Sequence, residues 1–275
     1  MFPTNETNDV SANFAQVLQR IKTLEDELRK LKRIEVPKKS QLGALMSTYL
    51  SIPLLRGFVP FSANKAPYAV RDFAADLYHA RYGLGIQTWD GLAPCGQAIE
   101  SGGSNGWSPG SDVSSFKIKG GSGITIGAWV KLDDVSIGEN QAIVSKFRVA
   151  TGGRSYILYE PNNEYIKFRI SSDGGYTNVD DVTSTNKIIA DEWTFVVGRW
   201  YPSDTIDVWV DKTKTSAVST EVGIYDSVSW LSIMSNYYGP YLTEGYVSMV
   251  FIAACKLDDA YIEKLWGVSH TLFGK

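Results

Sequence analysis

At 275 residues, 44% of them hydrophobic, the chain has the material for one large all-β domain or two small ones. A net charge of −3 excludes long-range attraction to nucleic acid or to anionic membrane as a theme of the whole molecule. The 8 Trp and 15 Tyr suit half-buried pleated surfaces and stacking on ligands alike, so composition leaves those two uses open.

The first segment, MFPTNETNDV, has no basic n-region and no apolar h-region, and no later stretch is apolar for long enough to cross a bilayer. The expectation is a polar arm over residues 1–10 on a protein that is neither exported by a signal peptide nor anchored in a membrane. Cys95 and Cys255 are too few and too far apart for a disulfide scaffold or a cysteine zinc site. Both are expected to be free and partly buried, as suits assembly in a reducing cytoplasm. Whether they pair is left open.

From Phe14 the apolar residues fall at Phe14, Val17, Ile21, Leu24, Leu28 and Leu31, the alternating three-four spacing of a heptad seam. This predicts a coiled-coil helix over residues 11–35, started by Ser11 or Asn13 and stopped before Pro37. Phe14, Ile21 and Leu28 take position a; Val17, Leu24 and Leu31 take position d. In a parallel bundle Arg20 then faces Glu25 of the next chain, and Glu27 faces Lys32, both pairs opposite in sign. The alternative is an amphipathic helix packed on its own domain, which requires neither the narrow stripe nor the flanking charges. RIKTLE, residues 20–25, resembles the trimerisation signature of short parallel coiled coils, with Arg20, Ile21, Leu24 and Glu25 at its defined positions. That resemblance implies a parallel homotrimer, with the arginine methylenes covering the seam.

The basic run RKLKR that follows, residues 29–33, reads as cations at a helix C-terminus rather than as a nucleic-acid patch. Residues 36–66 carry Pro37, Pro53 and Pro60, which forbid a long helix, yet are too apolar for a disordered linker. They are expected either as an extended attachment arm on a neighbouring subunit or particle, or, over 50–61, as an edge strand of their own domain.

From residue 67 to 275 the chain breaks into short runs bounded by turn signals, the pattern of a sandwich or barrel. GITIGAWVKL (123–132) alternates as a strand. RSYILYEPNNEYIKFRIS reads as a hairpin turning at Pro161, Asn162 and Asn163, and WTFVVGRWYPSDTIDVWVD as a second turning at Pro202, Ser203 and Asp204. GYVSMVFIAA (245–254) is apolar on both faces and hence central. KLDDAYIEKLWG predicts a short helix with an acidic first turn from Asp258, stopped by Gly267.

In this order, ITIGAWVKL, DEWTFVVGRW, DTIDVWVDK and GYVSMVFIAACKLDDAYIEKLWG resemble the laminin G-like branch of the concanavalin A-like lectin and glucanase superfamily. RDFAADLYHARYGL with CGQAIESGG is similar to the family's first pair of strands, so the likeness covers about residues 67–268. It implies a mainly β fold, a two-sheet antiparallel jelly-roll sandwich, here behind an N-terminal α-helical coiled coil. Trp129, Trp193 and Trp209 are then packing residues. The family usually has Asp-Gly after its Yvd strand; Asp211 and Lys212 stand here, which predicts a wider turn.

Glycosidases of the superfamily need two closely spaced carboxylates, which glucanase members carry on one strand as Glu-x-Asp-x-x-Glu or a shorter form. No strand here has that spacing, and His79 and His270 join no HExxH or Ser/His/Asp arrangement. The expectation is therefore a protein that is not an enzyme. Rim loops of lectin-like sandwiches bind through aromatic faces and amides. The candidates are Asn236, Tyr237, Tyr238 and Tyr241 in one loop, and Tyr176 and Asn178 with Asp173, Asp180 and Asp181 in another. Surface glycans are the ligand class expected; no cofactor is, although the acidic loop would suit calcium, for which no EF-hand spacing exists. The alternative is polar turn chemistry, with Tyr at a subunit contact. Heptad stem and lectin-like head together look like a bacteriophage virion protein, assembled in the host cytoplasm and carried on the virion surface. It would be a homotrimeric fibre, spike or capsid-decoration protein held to capsid or other virion proteins through residues 1–66. The competing expectation is a carbohydrate-binding lectin of a cellular organism.

Overall fold

Runs that alternate, or that are apolar throughout, become strands; turn-forming residues separate them. The computed structural model describes residues 39–59, 69–72, 77–82, 89–90, 98–102, 106–108, 112–119, 121–136, 138–150, 152–236 and 243–275, all within one compact unit, Lys39–Lys275. The polar arm, the heptad helix with all its seam and flanking residues, and Cys95 lie outside the described residues.

A helix, α1 (Lys39–Leu50), is followed by β1 (Leu55–Val59), β2 (Ala69–Asp72), β3 (Leu77–Tyr82), β4 (Trp89–Asp90), β5 (Ala98–Gly102) and β6 (Gly106–Ser108). After a 3₁₀ turn (Ser114–Phe116) come β7 (Ile124–Leu132), β8 (Gln141–Phe147), β9 (Arg154–Glu160), β10 (Tyr165–Ser171) and β11 (Val179–Lys187). Then follow β12 (Thr194–Tyr201), β13 (Thr205–Val210), β14 (Thr213–Val218), β15 (Ser232–Ile233), β16 (Glu244–Ala253) and α2 (Asp259–Ser269).

One eight-stranded sheet runs β14-β13-β12-β7-β16-β5-β4, with β1 also paired to β16; the other runs β11-β10-β9-β8-β15-β6-β3-β2. Every pairing among the described residues is antiparallel, as a jelly-roll sandwich requires. β3 and β5, from the segments likened to the family's first pair, fall in opposite sheets and do not pair with each other. Between the sheets lies the main core, to which β7 contributes Ile126, Ala128 and Val130, β10 Phe168 and β12 Val196 and Trp200.

A second apolar layer covers the outer face of the first sheet. Leu45 and Tyr49 of α1 and Ile262 and Leu265 of α2 pack there on Trp129, Phe195, Val197, Trp209 and Phe251. Trp129 and Trp209 are buried and Trp193 partly so, in the packing role expected of them. β16, like β7, serves both layers, and a bulge between Ser248 and Phe251, where Met249 adopts φ 54°, shifts which of its residues face each side. The extra residue resets the alternation, so Val247, Val250 and Ile252 face the main core while Met249 and Phe251 face the helices.

Three expectations change. Residues 39–59 are part of the sandwich unit, which begins at Lys39 and not at residue 67: α1 fits between the prolines at 37 and 53, and β1 pairs with β16, the strand reading of the two left open. The turn after β13 is not wider. Val210 pairs with Thr213, leaving a two-residue turn in which Asp211 takes φ 54°. Asp211 can hold this left-handed conformation because its carboxylate accepts from Phe195 N (3.0 Å) while its own N–H donates to Phe195 O (2.8 Å). Finally, α2 starts as expected, Asp258 capping it by accepting from Tyr261 N at 2.7 Å, but continues through Gly267 to Ser269. The last turn, held by the buried Ser269 bonded to Trp129, outweighs a glycine cost of about 1 kcal/mol. Among the described residues no helix is long and apolar enough to cross a membrane.

Candidate functional site

Three loops meet at one end of the sandwich: the β8–β9 turn (148–153), the β10–β11 loop (172–178) and the long segment 219–231 between β14 and β15. Their backbones are tied together, since Gly152 N donates to Gly174 O (3.0 Å) and Tyr225 N to Ser171 O (2.8 Å). Gly174 has φ 75°, and a Cβ there would stand 2.7 Å from the Tyr225 ring, so only glycine permits this approach. Within the β10–β11 loop, Asp173 accepts from Gly175 N (2.7 Å) and from Ser171 Oγ (3.0 Å). The Gly175 N–H bond holds the Asp173 carboxyl below the ordinary aspartate range.

On this frame Tyr176 is 50% exposed and Tyr225 36% exposed, with Val149, Val222 and Val228 also exposed along the same loops. The buried Arg154 guanidinium lies 3.4 Å from the centroid of the Tyr176 ring and donates to Val149 O. The arginine stiffens the tyrosine by a cation–π contact while the residue stays half exposed to solvent. Asn178 is exposed in the same loop. A ring with a free face beside an exposed amide can stack on an apolar sugar face and bond its hydroxyls.

The other sequence candidates divide. Tyr237, Tyr238 and Tyr241 lie outside the described residues, and Asn236 is 2% exposed, a packing position rather than a displayed amide. Asp180 and Asp181 hold structure. Asp180 accepts from Ser219 Oγ and from Thr220 N and Glu221 N (both 3.2 Å), which anchors the start of the 219–231 segment. Asp181 pairs with Arg169 (2.5 Å) and Lys167 (3.3 Å). Among the described residues no group of three or more His, Cys, Asp or Glu is placed to hold a metal ion. Arg154 gave no sequence signal, because arginine opening a strand reads as an ordinary exposed position until its neighbours are known.

Two other features bear on chemistry. Burial pushes the Glu160 carboxyl up, yet this group is fully enclosed and accepts from Asn163 N (2.6 Å) and Glu164 N (2.9 Å), closing the β9–β10 hairpin. A cleft of about 400 Å³ lies between the β13–β14 turn and α2, walled by Trp209, Ile262 and Trp266. Lys212 covers one face of Trp266 (4.2 Å) and His270 stacks on the ring (3.9 Å), so this indole offers no free face for a ligand.

The family model of the concanavalin A-like lectin/glucanases superfamily matches residues 103–263. No curated protein matches the chain. Among solved structures, the binding domain of Paraclostridial Mosquitocidal Protein 1 superposes with a TM-score of 0.62 at 11% identity, over 80% of this chain and 55% of that one. A botulinum neurotoxin type C structure, from work on cell entry dependent on two ganglioside molecules, gives 0.59 at 10%, over 83% and 53%. Domain 4 of AbnA, a GH43 extracellular arabinanase from Geobacillus stearothermophilus, in complex with arabinotriose, gives 0.57 at 12%, over 77% and 97%. This chain thus spans about half the length of the toxin domains and nearly all of the arabinanase domain. At these identities the likeness is one of fold.

Proposed function

Because the chain belongs to the concanavalin A-like lectin/glucanases superfamily, we propose that it is a non-enzymatic carbohydrate-binding protein whose rim loops hold the ligand. The observation that carries this reading is the half-exposed Tyr176 ring, braced from behind by Arg154 and flanked by Asn178. A saccharide ligand is supported by the arabinotriose complex of a domain that this chain matches over nearly its whole length. A binding rather than catalytic role is supported by the engagement of the buried carboxylates: Asp207 with Arg199, Asp180 with the 219–221 segment, Glu160 with its hairpin.

The heptad seam of residues 14–31 extends the proposal to a parallel homotrimer, and stem plus lectin-like head to a bacteriophage fibre, spike or capsid-decoration protein. Three heads on one stem would raise the avidity of weak sites for a repeated surface glycan.

The test is a glycan array probed with the full chain and with Tyr176→Ala. Specific binding lost in the variant is expected; binding to no glycan, or binding indifferent to the substitution, overturns the reading. Light scattering is expected to give three times the 30.4 kDa chain mass. A monomer would remove the stem and favour a cellular lectin, and mass spectra of purified particles that lack the protein would remove the virion assignment.

A further inference from the structure

Away from the Tyr176 face, a polar cleft of about 260 Å³ opens between β1 and the segment around the 3₁₀ turn, lined by Arg56, Ser114, Lys117, Lys119 and Ser122. Its charge is unbalanced. Lys117 is shared by Asp112 (2.6 Å) and Asp226 (3.6 Å), and Lys119 pairs with Asp226 (2.9 Å). Behind them Lys146, 1% exposed, also spends its ammonium on Asp112 (2.8 Å). Arg56, exposed at the cleft, has no carboxylate partner among the described residues. Among the described residues, then, Lys117, Lys119 and Lys146 share two carboxylates and Arg56 adds a fourth cation, a local excess of +2 on a chain whose net charge is −3.

Such an excess in a concave polar surface favours an anion, and the buried Lys146 adds field that solvent screens poorly. Arg56 offers a planar fork for a two-oxygen acceptor, while Lys117 and Lys119 offer point charges and Ser114 and Ser122 hydroxyl donors. The residues suit a tetrahedral or planar oxyanion and offer little to an apolar group. Segment 224–226 joins the cleft to the rim: Tyr225 belongs to the aromatic face, Asp226 to the cation cluster, and Ile224 N donates to Lys119 O at 3.2 Å.

We propose that this cleft is an oxyanion subsite that takes the sulfate ester or carboxylate of an acidic saccharide. The saccharide part rests on the carbohydrate-binding reading; the oxyanion part stands on the cleft alone.

The full chain, Arg56→Ala, Lys119→Ala and the double variant would be titrated by calorimetry and amide NMR with sodium sulfate, with a sulfated and a uronate-containing oligosaccharide, and with their neutral counterparts. Both side chains are exposed, and melting curves would verify that the variants remain folded. Sulfate is expected to shift amides of residues 114–122, and an acidic oligosaccharide to bind about tenfold more tightly than its neutral counterpart. The double variant should lose both effects, and added salt should weaken them. The arm that retains the advantage identifies sulfate ester or carboxylate as the group held. Sulfate shifts at 114–122 without any oligosaccharide binding would uphold the oxyanion site and sink the carbohydrate reading. Absence of sulfate shifts there, or an acidic preference that survives the double variant, overturns the subsite.

Discussion

The indole of Trp129 lies parallel to the ring of Phe273, 4.3 Å between centroids and 5° between planes. Its Nε1 donates to Ser269 Oγ at 2.9 Å, so one strand residue receives both the end of α2 and the turn beyond it. Phe273→Ala is expected to destabilise the domain by about 3 kcal/mol, and Ser269→Ala by about 1–2 kcal/mol for the orphaned indole N–H. Urea denaturation measures both. Wild-type stability in either variant would mean that the C-terminal cover is not energetically coupled to the sheet.

Lys146 gives a pH dependence through Asp112. Burial raises the Asp112 carboxyl, but hydrogen bonds and charge from Lys117 and Lys146 outweigh it and hold the group below its ordinary value of 3.8. A carboxylate depressed in the folded state contributes stability that is complete above the unfolded value and lost as pH falls through the folded one. Stability should therefore decline below about pH 4, and Asp112→Asn should flatten that decline. At neutral pH the same variant removes the negative charge beside Lys146 and leaves its ammonium only neutral acceptors, among them the carbonyls of Ser227 and Ser229, at a cost of about 2–3 kcal/mol. Chemical denaturation across the acid range checks slope and offset together.

Gly198 of β12 faces Phe168 of β10 across the core, and an added Cβ would lie 2.5 Å from the ring's Cδ2. Neither partner can retreat, since both are fully enclosed by the two sheets. Gly198→Ala should cost about 1–3 kcal/mol, with Phe168→Leu partly relieving the clash in the double variant. Thermal melts of the four proteins in that cycle give the coupling, and strict additivity would show that the sheets can part at this point.

Asp180 holds three successive residues, 219–221, by accepting from two hydroxyls and two amides. Asp180→Ala should release the start of the segment that carries Tyr225, raising amide exchange at 220 and 221 by at least tenfold while β7 and β16 keep their protection. Exchange unchanged at these amides would place the anchor elsewhere.

Much of this was legible locally. β7 and both hairpins follow from alternation and from turns such as Pro161-Asn162-Asn163, and Asp258 announces the start of α2, because each signal lies within a few residues of its effect. Rim residues were legible in part: Tyr176 and Asn178 stand exposed as their loop composition suggests, whereas Asp180 and Asp181 look like ligand carboxylates until their partners at 219–221 and 167–169 are known.

By itself the sequence determined the strand-forming runs, their turns, and the charge and aromatic material of the rim, since backbone propensity and hydrophobic period act at short range. Only the tertiary structure decided that 39–50 is a helix on the sheet, that α2 outlasts Gly267, that Asp211 turns in two residues, and that Arg154 braces Tyr176. Each of these depends on burial or hydrogen bonds between residues far apart in the chain, as in the Trp129–Ser269 bond across 140 positions, and such energies exist only once the sheets have assembled.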